Sequence, residues 1–103
     1  LFICGKNKLR SPTAEVVFSS RPSVETDSAG INADAEILVS EEQIHWSDII
    51  FVMERSHRSK LTKKFPSAIK GKRVICLDIP DKFEYMQPDL VKLLEVKVGK
   101  HIK

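Results

Sequence analysis

The sequence predicts an α/β fold built on a parallel sheet. Three observations carry that prediction. Short apolar runs recur at Leu1–Cys4, Asp48–Met53 and Arg73–Leu77, and each is followed by a polar stretch. The middle run, Ile49-Ile50-Phe51-Val52-Met53, shows no polar alternation, as expected of a strand covered on both faces. The segments between the runs carry helix-start signals, and parallel neighbours need such crossovers, which are right-handed.

In chain order, Leu1–Cys4 is the first predicted strand. Ser11 has the chemistry of an N-cap and Pro12 suits the first helical position, so a helix is expected from Ser11 to about Ser20. Arg21-Pro22 ends it. Val24–Ser28 is predicted as a second short strand, closed by a turn at Ala29-Gly30. Ile31–Ser40 is irregular or partly helical. Ser40-Glu41-Glu42-Gln43 is a capping box that opens a short helix through Trp46. Asp48–Met53 is the central strand. Glu54 starts a helix that ends near Phe65-Pro66, and Arg73–Leu77 is the fourth strand. Asp78–Gln87 is a loop. Pro88 opens the last helix, with Leu90, Val91, Leu93, Leu94 and Val98 as its apolar face.

A chain of 103 residues is expected to form one domain, residues 1–103, with its own core. No stretch approaches the ~18–20 apolar residues of a membrane-spanning helix, and no signal peptide is visible. The first residue is leucine rather than methionine, so a few residues are expected to precede it. Two cysteines, Cys4 and Cys76, are too few for a disulfide framework. His45, His57 and His101 stand singly and give no zinc-ligand spacing. The net charge of +3 is unevenly spread. Pro22 to Glu54 holds eight acids and no Lys or Arg, whereas Arg55 to Leu77 holds eight bases and no acid. The basic stretch reads as a solvated helix face. Without interleaved aromatic residues it is a weak nucleic-acid signal.

The chemistry concentrates in Cys4-Gly5-Lys6-Asn7-Lys8-Leu9-Arg10-Ser11-Pro12-Thr13. A thiol is a useful nucleophile as the thiolate. Placed at a strand end before a helix, Cys4 would sit among loop N–H groups and the helix dipole, both of which favour negative charge. Arg10 supplies a planar fork of donors that matches two oxygens of a tetrahedral oxyanion. Gly5 lets the loop take unusual dihedrals. Ser11 can donate a hydrogen bond to the sulfur. The result is a cradle for a dianion with a nucleophile at its floor.

The Cys-x5-Arg-Ser spacing near the start of the chain, the continuation Ser11-Pro12-Thr13-Ala14-Glu15 and Asn7 three residues after the cysteine together resemble the low-molecular-weight protein tyrosine phosphatase family. The resemblance covers nearly the whole chain. It implies a three-layer fold with a four-stranded parallel sheet of order 2-1-3-4 between helices, and a site at the carboxyl ends of the strands, where such folds bind ligands. It implies hydrolysis of a phosphomonoester through a phosphocysteine on Cys4, with Arg10 and the amides of Gly5, Lys6, Asn7, Lys8 and Leu9 around the phosphate. Ser28 would hold Asn7. Neither a metal nor an organic cofactor is needed, and the expected substrate is a phosphorylated protein or a small aryl phosphate. A thiol nucleophile favours the cytoplasm.

The family places its proton donor on the loop after the fourth strand. Here Asp78 and Asp81 compete. Aligning the aromatic that follows favours Asp81, with Phe83 as a wall of the pocket; Phe83 and Tyr85 can each flank an aromatic ring. The sequence also departs from the family. Lys6 stands where glycine is usual, Leu9 replaces a second loop cysteine, Lys82 rather than proline follows the acid, and the chain is shorter in the Gly30–Ser40 and Lys64–Lys72 regions. Two other readings use the same loop. An arsenate reductase would need Cys76 or an external thiol as the resolving group. A non-catalytic oxyanion-binding module would lack an acid within reach of Cys4.

Overall fold

The computed structural model describes residues 1–102. Four parallel strands form one sheet in the order β2-β1-β3-β4. They are β1 Phe2–Cys4, β2 Ser28–Gly30, β3 Ile49–Val52 and β4 Arg73–Cys76. The helices are α1 Arg10–Ser19, α2 Glu41–Trp46, α3 Arg55–Lys64, α4 Pro66–Ile69 and α5 Pro88–Gly99.

Side chains alternate across each strand, and the alternation sorts the core into two layers. Phe2, Cys4, Phe51 and Met53 face one side, where they pack on Ala14 and Phe18 of α1 and Leu90, Leu94 and Val98 of α5. Ile3, Ile50 and Val52 face the other side, against Ile44 of α2, Leu61 of α3 and Ala68 and Ile69 of α4. Burying each large side chain of this kind contributes roughly 1.5–3 kcal/mol. Phe2 stacks between Phe18 and Phe51, with centroids 5.8 and 5.4 Å away. That stack ties α1 to the middle of the sheet.

The expected sheet order, the expected capping box and the final helix are all present. In the box, the Gln43 N–H donates to Ser40 Oγ at 3.2 Å, and the Ser40 N–H donates to Gln43 Oε1 at 3.0 Å. α5 begins at Pro88 and buries Leu90, Leu94 and Val98, as its pattern predicts. In α3 only His57 and Leu61 are buried, so its basic residues are a solvated face. α4, a single turn after Pro66, has no counterpart in the sequence reading.

Two local expectations are corrected. The second strand is Ser28–Gly30, not Val24–Ser28; Ala29 and Gly30, expected to turn, are strand residues that pair with Ile3 and Cys4. Tertiary fit overrides strand propensity here. The β-branched Val24 and Thr26 pointed to the wrong segment, whereas the paired one is small and wholly buried. Helix α1 begins at Arg10, and its N-cap is Leu9, with no side-chain cap. Ser11 cannot cap because its hydroxyl is engaged with Cys4 and Asn7. Pro12 then falls in the first turn, where an N–H has no intrahelical acceptor to lose. The first intrahelical bond runs from the Thr13 N–H to the Leu9 carbonyl, at 3.1 Å.

Gly30 shows why β2 ends as it does. A Cβ there would lie 2.5 Å from Ala35 Cβ and 2.6 Å from the Gly5 carbonyl oxygen. The strand end therefore sits directly against the Cys4–Arg10 loop. Gly30→Ala is expected to lower stability by about 1–3 kcal/mol, because backbone and side chain must both shift. Gly99→Ala, whose Cβ would meet nothing closer than 3.8 Å, should be neutral or slightly stabilising. Urea denaturation of the two variants tests the contrast; equal midpoints would contradict it.

Candidate active site

The loop between β1 and α1 curls so that Asn7 points inward while Lys6 and Lys8 point to solvent. Asn7 is in the left-handed region at φ 58°, which asparagine tolerates better than most residues. Its N–H donates to Cys4 Sγ at 3.2 Å. Its side-chain amide donates to Ser11 Oγ and to Ser28 Oγ, both at 3.0 Å. Ser28 Oγ in turn donates to a Glu15 carboxylate oxygen.

This chain has a direction. A carboxylate only accepts, so Ser28 gives its proton to Glu15 and must accept from Asn7. Asn7 spends its second amide hydrogen on Ser11, which must accept it. Ser11 keeps one proton to give, and its Oγ lies 3.0 Å from Cys4 Sγ and 3.3 Å from the Ala29 carbonyl oxygen. As a thiolate, which only accepts, Cys4 takes the Asn7 N–H and the remaining Ser11 proton, in competition with the Ala29 carbonyl. Asn7, Ser11 and Ser28 are at most 4% exposed, so water does not scramble the order.

Arg10 is equally buried, at 4%. Its Nη1 donates to Glu54 Oε2 at 2.6 Å and to the Ile79 carbonyl at 2.8 Å. One edge of the guanidinium is thereby fixed by the residues that follow β3 and β4. Among the described residues, Nε and Nη2 donate no hydrogen bond, and the Nε approaches Asp81 Oδ1 at 3.7 Å.

His57 completes the back of the site. Its Nδ1 accepts from the Glu54 N–H at 3.1 Å, which leaves the proton on Nε2, 3.5 Å from Glu54 Oε2. The Glu54 side chain reciprocally accepts from the His57 N–H, in a capping box that starts α3. Burial and the nearby Arg10 charge push the His57 pKa below the usual value, so the ring is held neutral.

The cleft has a volume of about 480 Å³ and is bounded by Cys4, Arg10 and Asp81 with Lys6, Lys8 and Lys60 at its rim. A larger cavity of about 530 Å³, around Leu1, Phe2, Val24 and Trp46, opens at the opposite end of the strands, away from Cys4. The topology agrees with the first of these as the site, because it lies at the carboxyl ends of the strands where the order reverses around β1.

Solved structures match this fold over almost the whole chain. The tyrosine phosphatase Wzb from Escherichia coli K30, in complex with phosphate, matches with a TM-score of 0.79 at 21% identity, over 97% of this chain and 86% of that one. The fold is that of the low-molecular-weight phosphotyrosine phosphatases. The member from Vibrio cholerae O395 matches at a TM-score of 0.75 and 17% identity, over 97% of this chain and 93% of its own. The YwlE arginine phosphatase from Geobacillus stearothermophilus matches at 0.76 and 21%, over 97% and 90%. By sequence, no family model matches the chain, and no curated protein does.

On this phosphatase fold the residues expected from the sequence separate into groups. Cys4, Gly5, Lys6, Lys8, Leu9, Arg10 and Asp81 line the cleft. Asn7, Ser11 and Ser28 lie beneath it as the buried chain described above. Phe83 is corrected. It does not wall the cleft but packs, 9% exposed, with Leu77, Ile79 and Leu90, where burial of the ring is worth more than a solvated position. Tyr85 is half exposed and also outside the cleft. Asp78 turns away: its Oδ1 lies 3.9 Å from Arg55 Nε and 3.5 Å from Cys76 Sγ. Asn32, Glu54, Ser56, His57 and Lys60 were missed, and Glu15, though part of the Ser11–Glu15 motif, was given no role. Apart from Glu15, only Glu54 had a local signal, its position one residue past the apolar run that contains β3.

Cys76 and Cys4 face opposite sides of the sheet. Cys76 pairs with Val52, which pairs with Ile3, so two strand spacings separate its strand from β1. That is about 9–10 Å, beyond the ~7 Å that a disulfide can bridge.

Two outcomes are expected. Asn7→Asp keeps the shape and the tolerance for φ 58° but replaces two donors by acceptors, so Ser11 would donate to the new carboxylate instead of to Cys4. Alkylation of Cys4 by iodoacetamide near neutral pH should slow by roughly tenfold or more, given charge-assisted bonds of about 1.5–3 kcal/mol; an unchanged rate would contradict the directed chain. The second concerns His57. Its folded pKa is depressed, so the unfolded chain takes up the proton first as pH falls. Stability should be complete above the ordinary histidine value of about 6.5 and should decline as pH drops through it. His57→Gln, which preserves the capping box, should flatten that decline in urea titrations at several pH values. The same slope in both proteins would contradict it.

Proposed function

We propose that this protein is a phosphomonoester hydrolase of the protein tyrosine phosphatase type that works through a phosphocysteine. The observation that carries the reading is Cys4 Sγ, set against donors from Asn7 and Ser11, beneath an Arg10 whose other edge is fixed by Glu54 and the Ile79 carbonyl. In the first step the thiolate attacks phosphorus in line, the S–P bond forms, and the P–O bond to the leaving group breaks. Asp81 gives its proton to the departing oxygen. In the second step Asp81 takes a proton from water, the water oxygen attacks phosphorus, and the S–P bond breaks to return the thiolate and release phosphate. Loop N–H groups and the free donors of Arg10 stabilise the equatorial oxygens, whose charge builds in each transition state. No metal or organic cofactor takes part in this scheme. A nucleophilic thiol places the working protein in a reducing compartment, the cytoplasm.

Asp81 rather than Asp78 is the acid, because Asp81 lines the cleft beside Arg10 while Asp78 lies outside the cleft, beside Arg55 and Cys76. The same placement counts against a purely passive oxyanion module. The distance between the two cysteines counts against an internal resolving thiol, and so against an arsenate reductase that uses Cys76. The solved structures of this fold include tyrosine and arginine phosphatases. Lys6, Lys8 and Lys60 around the cleft oppose a guanidinium leaving group, which favours the aryl ester.

Hydrolysis of p-nitrophenyl phosphate tests the reading. The wild type should turn over and be inhibited by vanadate. Cys4→Ser should abolish turnover, and Asp81→Asn should lower kcat by about 10²–10⁴-fold, the range of general acid–base catalysis. Asp78→Asn should stay close to wild type. Turnover that survives Cys4→Ser would sink the proposal.

A further inference from the structure

The α3 side of the cleft is built from donors that the hydrolysis scheme does not use. Ser56 and Lys60 lie one turn apart on α3, and both line the cleft. Lys60 Nζ is 3.1 Å from Asn32 Oδ1, a neutral partner. Among the described residues, no carboxylate pairs with Lys60. An ammonium only donates, so the Asn32 oxygen faces Lys60 and the Asn32 amide nitrogen faces the other way. That nitrogen lies over the phosphate loop: a Cβ placed on Gly5 would be 3.0 Å from it.

The carboxylates of the cleft do not offset these donors. Glu54 is spent on Arg10 and His57, and Asp81 sits by Arg10. Across the rim, Lys6 and Lys8 reach Asp34 and Glu36 at 3.7 and 4.0 Å, with all four side chains more than half exposed. Such pairs are weak and leave the lysines available. Among the described residues, no Phe, Tyr or Trp lines the cleft, so a substrate ring finds no large aromatic stacking partner there. Discrimination therefore falls to charge.

We propose that Lys60, Asn32 and Ser56 form a second anion subsite, which receives an acidic side chain flanking the phosphorylated residue of a peptide substrate. The inference rests on the hydrolase reading and adds the substrate class to it.

The test uses two phosphotyrosyl peptides that differ only in carrying glutamate or glutamine beside the phosphotyrosine. The acidic peptide should have the higher kcat/KM, by about 3–10-fold at low ionic strength, and added salt should shrink the advantage. Lys60→Gln should bring the ratio close to one. Lys63→Gln removes the same charge from α3 outside the cleft and should preserve the ratio. A wild-type ratio near one, a ratio that survives Lys60→Gln, or an equal loss in Lys63→Gln would each overturn the subsite. If neither peptide is hydrolysed, the hydrolase reading fails on its own. The ratio is then read from binding of both peptides to the Cys4→Ser protein, with and without Lys60→Gln. Tighter binding of the acidic peptide that depends on Lys60 keeps the subsite, and equal binding removes it.

Discussion

The loop after β1 turns the Asn7 N–H onto Cys4 with Asn7 at φ 58° and its side-chain amide tethered on both sides. A loop of five residues with no regular structure, Gly5–Leu9, would otherwise lose that shape to entropy, at about 1–2 kcal/mol per ordered residue. The tether runs to Ser11 at the start of α1 and to Ser28 at the start of β2, and Glu15 one turn further along α1 closes the chain. The loop is therefore held by the elements on either side of it, and its polarity is set by a carboxylate that does not touch Cys4.

The sheet order explains why so many distant residues can converge. β1 lies between β2 and β3, so the ends of three neighbouring strands meet at Cys4, and β4 lies one strand further on. β2 brings Ser28 and the bare backbone of Gly30. β3 is followed by Glu54 and β4 by Ile79 and Asp81, and all three reach Arg10. Arg10 is a cation buried at this junction. Its partners supply the charge and the acceptors that make its burial tolerable.

Much of this was legible because it is local. The Cys4–Arg10 loop, the Ser40 capping box, the uninterrupted run of β3 and the apolar face of α5 each announce themselves within a few residues. The misreadings share a cause. Val24 and Thr26 looked like strand, and Ala29-Gly30 like turn, because nothing local reveals that the edge of β1 needs small residues against the loop. Ser11 looked like a cap because its preference for Cys4 and Asn7 depends on the folded loop. Phe83 looked like a pocket wall because the sequence gives its place after the acid but not the side it turns to. His57 and Lys60, both on α3, and Asn32, just after β2, were invisible for the same reason: they reach the site from parts of the chain distant in sequence from the Cys4 loop.

The central claim is that Cys4, held in this directed network, is the atom that takes the phosphoryl group. The most direct measurement is peptide mass spectrometry of protein mixed with p-nitrophenyl phosphate and quenched in acid within the first turnover. A phosphate on Cys4, longer-lived in Asp81→Asn than in the wild type, is the predicted result. Nitrophenol release with no phosphate on Cys4, or with the label on another residue, would contradict it.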